Sequence, residues 1–240
     1  LGGSGMRGPH VIPALQDKYE LLVTDINPMP IPFKGEFRRV DISSLYEVMA
    51  AAAGLNAIFN LSVLRQDRQL AFDVSTLGCY NMMQAAVAHG IRRIINTGPH
   101  FTIAGPTYEQ FDFDLNPDMP PQPGTNIYAL TKMLGHEITR VFAAHYDLYV
   151  QMYLFYIFRD PANAENMRRW DDERPWVISW ANAAQVFPLG LEIPFERLPS
   201  RFETFNILAD LPHSQFNNSK AKRILGFEPW QDIEAIWKRA

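Results

Sequence analysis

The amino-acid sequence predicts an α/β protein in which a parallel sheet is doubly wound by helices, followed by a small C-terminal lobe. Two observations support this fold class. Short apolar runs alternate with longer helix-like segments from residue 20 to residue 158, and the chain becomes polar, charged and irregular after residue 160. Because parallel strands are apolar on both faces and need helical crossovers, this alternation favours a sheet between two helix layers. We predict a main domain over residues 1–158 and a lobe over residues 159–240 that also returns elements to the main domain.

Four apolar runs are typical of buried strands. The first, ELLVTDI, covers residues 20–26 and contains Asp25 near its end. The others are NAIFNLSV (56–63), IRRIINTG (91–98) and LYVQMYLFYIF (148–158). Their short length and apolar character favour strands of a parallel sheet.

Three segments between and after these runs predict helices. LYEVMAAAAG (45–54) and LAFDVSTLGCYNMMQAAVAHG (70–90) both end at a glycine, the residue type that often terminates a helix. The third, YALTKMLGHEITRVFAAHY, covers residues 128–146. The proline-rich stretch at 115–126 predicts a loop long enough to contribute to a site, and the charged stretch at 160–176 predicts a lobe or lid.

Composition narrows the classes of function. The 26 acidic residues outnumber the 22 lysines and arginines, and the resulting net charge of −4 argues against a nucleic-acid partner. No apolar run in the sequence approaches the roughly 20 residues of a membrane span, so no membrane partner is expected. Cys79 is the only cysteine, which excludes an internal disulfide and suits a reducing compartment such as the cytoplasm. No group of potential ligands has metal-site spacing, so no metal is expected.

The chain opens on LGGSGMRGPHVIPAL, in which Gly2, Gly5 and Gly8 match the pattern G-x-x-G-x-x-G. Glycines at this spacing let a backbone turn approach a pyrophosphate at a helix N-terminus. Asp25 follows at the end of a predicted strand, where a carboxylate can accept hydrogen bonds from an adenosine ribose. An ordinary turn and a solvated strand end are the alternatives, but the combination favours a dinucleotide site.

Two features of this opening stretch lead to further expectations. Pro13 lies inside the predicted helix and should kink it, because proline removes a backbone hydrogen bond. A glycine turn of this kind normally follows a strand, whereas only Leu1 precedes Gly2. We therefore expect the natural protein to have residues upstream of Leu1 that form the central strand of the sheet.

Tyr128 and Lys132 form the second motif. Residues four apart share one face of a helix. A phenol exchanges protons more readily when a neighbouring ammonium stabilises its phenolate form, and a lysine can also hold a ribose. A chance pair on an exposed helix is the alternative, but the preceding glycine turn and strand-helix units favour a catalytic pair.

Taken in order, GGSGMRG, VTDI, RRVDIS, FNLSV, IINTGPH and YALTK resemble segments of the extended short-chain dehydrogenase/reductases, in the NAD-dependent epimerase/dehydratase family. Uronate dehydrogenases are the most similar group. The resemblance implies a Rossmann-type sheet and an NAD cofactor. NAD is expected rather than NADP because Asp25 should repel the 2′-phosphate of NADP. Arg7 is a base within the glycine motif and leaves NADP as the alternative. The cofactor contacts implied are Gly2, Gly5, Met6, Gly8, Asp25, Asp41, Ile42, Leu61, Ser62 and Lys132.

The resemblance also implies a substrate site beside the catalytic pair. The family's serine, which bonds the substrate oxygen, has no counterpart in the segment TGPH, so Thr97 or Thr102 is expected to supply the hydroxyl as part of the catalytic group. His100 keeps the family's imidazole and is a candidate substrate contact. In the charged stretch, Arg168 and Arg174 either belong to a solvated surface or include an arginine that binds a substrate carboxylate.

Two hypotheses of function remain open. The first is a dehydrogenase or epimerase that transfers a hydride to or from a small sugar or sugar acid, since the segment before residue 177 is shorter than in relatives that use nucleotide sugars. The second is a sensor or regulatory protein that binds NAD(P) but has lost catalysis, which the substitutions over 97–102 suggest. The resemblance further implies a homodimer paired through the helices at 70–90 and 128–146.

Overall fold

The computed structural model of the protein describes residues 1–64, 67–100, 115–160, 177–210 and 216–230. Within these ranges the strands are β1 (Leu22–Asp25), β2 (Glu36–Arg39), β3 (Ala57–Asn60), β4 (Arg93–Pro99), β5 (Tyr149–Phe155), β6 (Ile157–Arg159), β7 (Val177–Ser179) and β8 (Phe202–Asn206). A four-stranded sheet has the order β3-β4-β5-β8, while β1 pairs with β2 and β6 with β7. Each of these pairings is parallel, as the alternating sequence pattern predicts.

The first three residues lie between β1 and β3. The amide of Gly3 donates to the carbonyl of Thr24 in β1 (3.0 Å), and the amide of Leu61 donates to the carbonyl of Leu1 (2.9 Å). The nitrogen of Leu1 also donates to Phe59 in β3 (2.8 Å). These bonds connect the two-stranded and four-stranded sheets through residues 1–3, in the order β2, β1, residues 1–3, β3, β4, β5 and β8. The direction of strand addition reverses at this point, where ligand clefts of open α/β sheets usually lie.

The helices of the described ranges are α1 (Gly8–Leu15), α2 (Leu45–Ala52), α3 (Arg68–Phe72), α4 (Gly78–Ala88), α5 (Ile127–His145), α6 (Trp180–Glu192) and α7 (Ser219–Leu225). A π-helical turn, Asp73–Leu77, joins α3 directly to α4. A short 3₁₀ turn follows α6 at Phe195–Arg197. Gly226 has a positive φ of 69° and ends α7, as expected of a left-handed helix cap.

Two apolar cores lie on opposite faces of the four-stranded sheet. Ile94 in β4 packs with α2, α4 and α5, whereas its neighbour Ile95 packs with α1, α6 and α7. Successive residues of β5 alternate in the same way, since Met152 belongs to the first core and Tyr153 to the second. Side chains of a strand point alternately to its two faces, so the sheet is covered on both sides. The predicted doubly wound α/β fold is confirmed.

The predicted elements are present with shifted boundaries. Each predicted strand overlaps an observed one, and the helix expected at 128–146 is α5. The helix expected at 70–90 is broken by the π-helical turn, and α1 continues through Pro13. Three strands were not predicted: β2, which is mostly exposed, β7, which pairs with β6, and β8, which joins the main sheet beside β5. The division into domains at residue 158 stays a prediction.

Neither a membrane nor a metal site is indicated by the part of the chain that the structure describes. Within it, no helix combines the length and the apolar character that crossing a bilayer requires. The same residues contain no group of three or more histidine, cysteine, aspartate or glutamate side chains arranged to bind a metal ion.

Candidate active site

The glycine turn lies at the carboxyl ends of β1 and β3. Gly2 has a φ of +74°, and a Cβ atom at this position would come within 2.5 Å of the amide nitrogen of Ser62. Gly8 begins α1, and a Cβ atom there would overlap the carbonyl group of Gly3. Glycine is therefore required at both positions. The turn brings the N-terminus of α1 to the edge of the sheet, an arrangement that suits a phosphate group.

Asp25 lies on one side of the glycine turn, at the end of β1. Its carboxylate accepts hydrogen bonds from the backbone amides of Ser4 (3.1 Å) and Asn27 (2.9 Å). It lines a cavity of about 200 Å³. Predicted cofactor residues that line the same cavity are Gly2, Gly5, Asp41, Ile42, Leu61 and Ser62. A carboxylate placed in this way beside a glycine turn is suited to the hydroxyl groups of an adenosine ribose.

A second cavity, of about 500 Å³, lies on the other side of the turn. Met6, Arg7, Phe158 and Trp180 contribute to its walls. The two cavities share Gly5, Leu61, Val63 and Leu64, so they are two halves of one cleft, which we call the glycine-turn cleft. An acid in the smaller half, a helix N-terminus in the middle and a larger pocket beyond it fit the adenosine, pyrophosphate and nicotinamide parts of a dinucleotide.

The predicted Tyr-Lys pair lies at the same edge of the sheet. The side chain of Asn126 caps α5 by accepting from the amide of Tyr128 (3.1 Å), which sets where the helix begins. Lys132 is only 2% exposed, and its Nζ donates to the backbone oxygens of Ser62 (2.6 Å) and Thr97 (3.4 Å). The ammonium is therefore held between the ends of β3 and β4. Tyr128 is half-buried and lies one turn earlier on the same face of α5.

Thr97 lies at the end of β4 and is fully buried. Its Oγ1 donates to the carbonyl of Asn60 (2.9 Å) and accepts from Nη1 of Arg7 (2.9 Å). Because a hydroxyl has a single proton, these contacts commit the proton of Thr97 to β3 rather than to a ligand. Thr97 stays a predicted site residue, and its observed contact in the cleft is to Arg7.

His100 lies just beyond β4 and is also fully buried. Its ring is 3.7 Å from that of Tyr156 and 6.0 Å from that of Phe216, measured between centroids. Its backbone amide continues the pairing with β5 by donating to Phe155 (2.9 Å). The role of His100 toward a substrate stays a prediction. Thr102, Arg168 and Arg174 lie outside the described residues.

The sequence did not predict where the Arg7 side chain lies, and named this residue only as a base that could serve NADP. The guanidinium lines the larger half of the cleft and contacts Thr97, whereas Asp25 lines the smaller half. A cation directly after a glycine turn and before a helix was the available signal, but its direction depends on distant residues.

His136, to which the sequence assigned no chemical role, lies next to the predicted pair. It lies on α5 one turn after Lys132 and is buried, and its ring lies against Gly98, the residue after Thr97. Burial, and then the positive charge of Lys132, lower the pKa of His136 to about 3, so the imidazole is neutral. A Cβ atom at Gly98 would overlap this ring. The spacing of Tyr128, Lys132 and His136 along one helix face was the signal for this contact.

Comparisons with known proteins agree with this geometry. The model of the NAD dependent epimerase/dehydratase family matches residues 1–163. A search of curated proteins by sequence gives no match. Among solved structures, uronate dehydrogenase from Agrobacterium tumefaciens is similar with a TM-score of 0.78 and 19% identity, covering 95% of this chain and 82% of that one.

Two other solved structures extend the comparison. A short-chain dehydrogenase/reductase superfamily protein from Agrobacterium tumefaciens with bound NAD has a TM-score of 0.80 and 17% identity, covering 98% of this chain and 93% of that one. A UDP-galactose 4-epimerase has a TM-score of 0.76 and 14% identity, covering 98% and 94%. At these identities the likeness shows the fold, whereas the family model spans more than half of the sequence. The chain belongs to the NAD-dependent epimerase/dehydratase family.

Proposed function

We propose that the protein is an NAD-dependent oxidoreductase or epimerase acting on a hydroxyl or carbonyl group of a small sugar or sugar acid. The observation that supports this most directly is the position of Lys132. Its buried ammonium bonds the strand-end carbonyls of Ser62 and Thr97, one helical turn after Tyr128 and next to the glycine-turn cleft. If Lys132 were buried for structural reasons alone, no tyrosine would be needed on the same face of α5.

In the proposed reaction, Tyr128 exchanges a proton with the substrate. When the substrate is oxidised, the phenolate oxygen of Tyr128 takes the hydroxyl proton, and in the reverse direction the phenol returns it. Lys132 stabilises the negative charge on that oxygen and holds the nicotinamide ribose. When bound, NAD supplies the hydride acceptor or donor. Asp25 holds the adenosine ribose, and the amides at the start of α1 hold the pyrophosphate.

Solved structures of similar fold support the substrate class. Their descriptions name uronate dehydrogenases and a UDP-galactose 4-epimerase, which act on sugar acids and a nucleotide sugar. The larger half of the cleft has a volume of about 500 Å³, which is in the range of small-molecule sites. Asp25 favours NAD because it repels the 2′-phosphate of NADP.

The test is a turnover assay with NAD and with NADP over aldoses, uronates and polyols, with product analysis for epimers. We expect turnover with NAD and a decrease of about 10²- to 10⁴-fold in kcat for Tyr128→Phe, while NAD binding is retained. The control is Tyr46→Phe, at a position that is 84% exposed. Full turnover by Tyr128→Phe on a confirmed substrate would show that Tyr128 is not the acid/base.

The second candidate is a sensor or regulatory protein that binds NAD without catalysis. It is favoured by the contacts of Thr97, whose hydroxyl proton is committed to Asn60. Tight NAD binding in calorimetry, together with the absence of turnover across the substrate panel, would support this candidate over the enzyme.

We further propose a homodimer that works in the cytoplasm. The helices α4 and α5 pack against each other in the core, and apolar side chains nearby are exposed, including Leu77, Tyr80 and Val141. Light scattering at micromolar concentration should give twice the mass of the chain, and a monomer mass would contradict the dimer. Cys79 is buried and forms no disulfide, which suits a reducing compartment.

A further inference from the structure

We propose that Arg7 binds a carboxylate of the substrate and thereby selects sugar acids over neutral sugars. This inference rests on the proposed function, because it assigns a substrate class to the same cleft. It is carried by the direction, contacts and charge of the Arg7 side chain.

Arg7 brings a cation into the larger half of the glycine-turn cleft. It is the residue immediately before α1, it is half-buried, and it lines the larger cavity. Its Nη1 donates to the Thr97 hydroxyl (2.9 Å), while the carbonyl oxygen of the same threonine accepts from Lys132 (3.4 Å). The guanidinium and the ammonium therefore approach one residue from two sides.

Aromatic side chains hold the guanidinium in place. Its central carbon lies 4.8 Å from the ring centroid of Phe155 and 5.1 Å from that of Phe158. Stacking on aromatic faces stabilises a cation and limits its rotation. A guanidinium held in this way keeps the planar fork that matches the two oxygens of a carboxylate, and less side-chain entropy is lost when it binds.

The charge of Arg7 adds to the positive end of a helix dipole. A helix N-terminus carries a partial positive charge, so an arginine immediately before α1 is repelled by the helix dipole. An apolar side chain of similar length would pack on the two phenyl rings without this repulsion. Asp67 lines the same cavity, but it is exposed and its carboxylate caps α3 by accepting from the amide of Leu70 (2.8 Å). The helix dipole, Arg7 and Lys132 together make this region attractive to anions.

The experiment compares matched pairs of substrates, glucuronate with glucose and galacturonate with galactose, in the wild type and two variants. Arg7→Met keeps a long apolar side chain against the rings but removes the charge, whereas Arg7→Lys keeps a charge but removes the planar fork. The control, Arg92→Met, removes a cation stacked on Tyr149 and Phe195 at the opposite end of β4. Binding of glucarate to the NAD-loaded protein is measured by calorimetry as a readout independent of turnover.

We expect the wild type to prefer the sugar acids. Arg7→Met should raise KM for the uronates and weaken glucarate binding by about 10- to 100-fold, with little change for the neutral sugars or for NAD. Arg7→Lys should give an intermediate effect, because a lysine binds an anion as a point charge. Arg92→Met should leave the ratio of uronate to neutral-sugar activity unchanged.

Several results would overturn the inference. One is an unchanged ratio of uronate to neutral-sugar activity in both Arg7 variants. Another is a loss of NAD affinity without a change in that ratio, since Arg7 would then bind the dinucleotide. A wild type that oxidises only neutral sugars would overturn it while leaving the proposed function intact. Glucarate binding that depends on Arg7, without turnover of any substrate, would support the inference while contradicting the proposed reaction.

Discussion

Acidification from pH 7 to pH 5 should destabilise the protein through His136. The pKa of this buried ring is lowered to about 3 in the folded protein, whereas a histidine in an unfolded chain has a pKa of about 6.5. The folded protein therefore stays neutral at this position while the unfolded chain takes up a proton below about pH 6.5. The contribution of His136 to stability is full above that value and decreases as the pH falls toward 3.

The magnitude follows from the difference in proton binding. Each pH unit below about 6.5 costs about 1.4 kcal/mol while only the unfolded chain is protonated. At pH 5 the loss is therefore about 2 kcal/mol of the free energy of unfolding. This is a large share of the roughly 5 to 15 kcal/mol that stabilise a typical protein, so the effect is measurable.

Urea denaturation at pH 7, 6 and 5, followed by tryptophan fluorescence, tests this expectation. His136→Gln removes the titrating group and keeps a polar side chain of similar length. The wild type should lose about 2 kcal/mol more than this variant between pH 7 and pH 5. The control is His145→Gln, an exposed position at the end of α5, which should follow the wild type. A constant difference between wild type and His136→Gln across these pH values would refute the reasoning.

Three further predictions concern the cleft and the contact next to it. Lys132→Met should lower both kcat and NAD affinity, measured by turnover and calorimetry, while Lys18→Met at an exposed site should change neither. Gly98→Ala should cost about 1 to 3 kcal/mol in urea unfolding because its Cβ overlaps the ring of His136. The cost should be smaller when His136 is also alanine, and strictly additive costs would contradict the contact. Asp25→Ala should weaken NAD binding by about 10- to 100-fold in calorimetry and reduce the ratio of NAD affinity to NADP affinity. An unchanged ratio of the two affinities would contradict the ribose role of Asp25.

Features that depend on local spacing could be predicted from the sequence. The glycine turn and the Tyr128–Lys132 pair are short patterns whose geometry follows from the backbone alone, and Asp25 followed from the end of an apolar strand. The structure brings these residues to one edge of the sheet because parallel strands place their carboxyl ends together. The fold class was predictable for the same reason, since strand and helix patterns alternate along the chain.

Features that depend on distant residues could not be predicted in this way. The segment EFRR forms β2 although it is charged and mostly exposed, because pairing with β1 rather than burial stabilises it. Glu203 lies buried within β8 and pairs with Lys220, which is 2.6 Å away. The direction of Arg7 is set by Thr97, Phe155 and Phe158, which lie far along the chain. None of these contacts follows from a pattern of residues that are neighbours in the sequence.

The alternation along β4 limits how this protein can change during evolution. Ile94 and Ile95 belong to opposite cores, and Thr97 follows two residues later at the cleft. Substitutions of similar size at these positions are tolerable, but inserting or deleting one residue would exchange the two faces of the strand. The same shift would move the hydroxyl of Thr97 away from Arg7 and the carbonyl away from Lys132. Relatives with a working cleft should therefore vary in the composition of this strand and keep its length, with insertions confined to the segments before and after it.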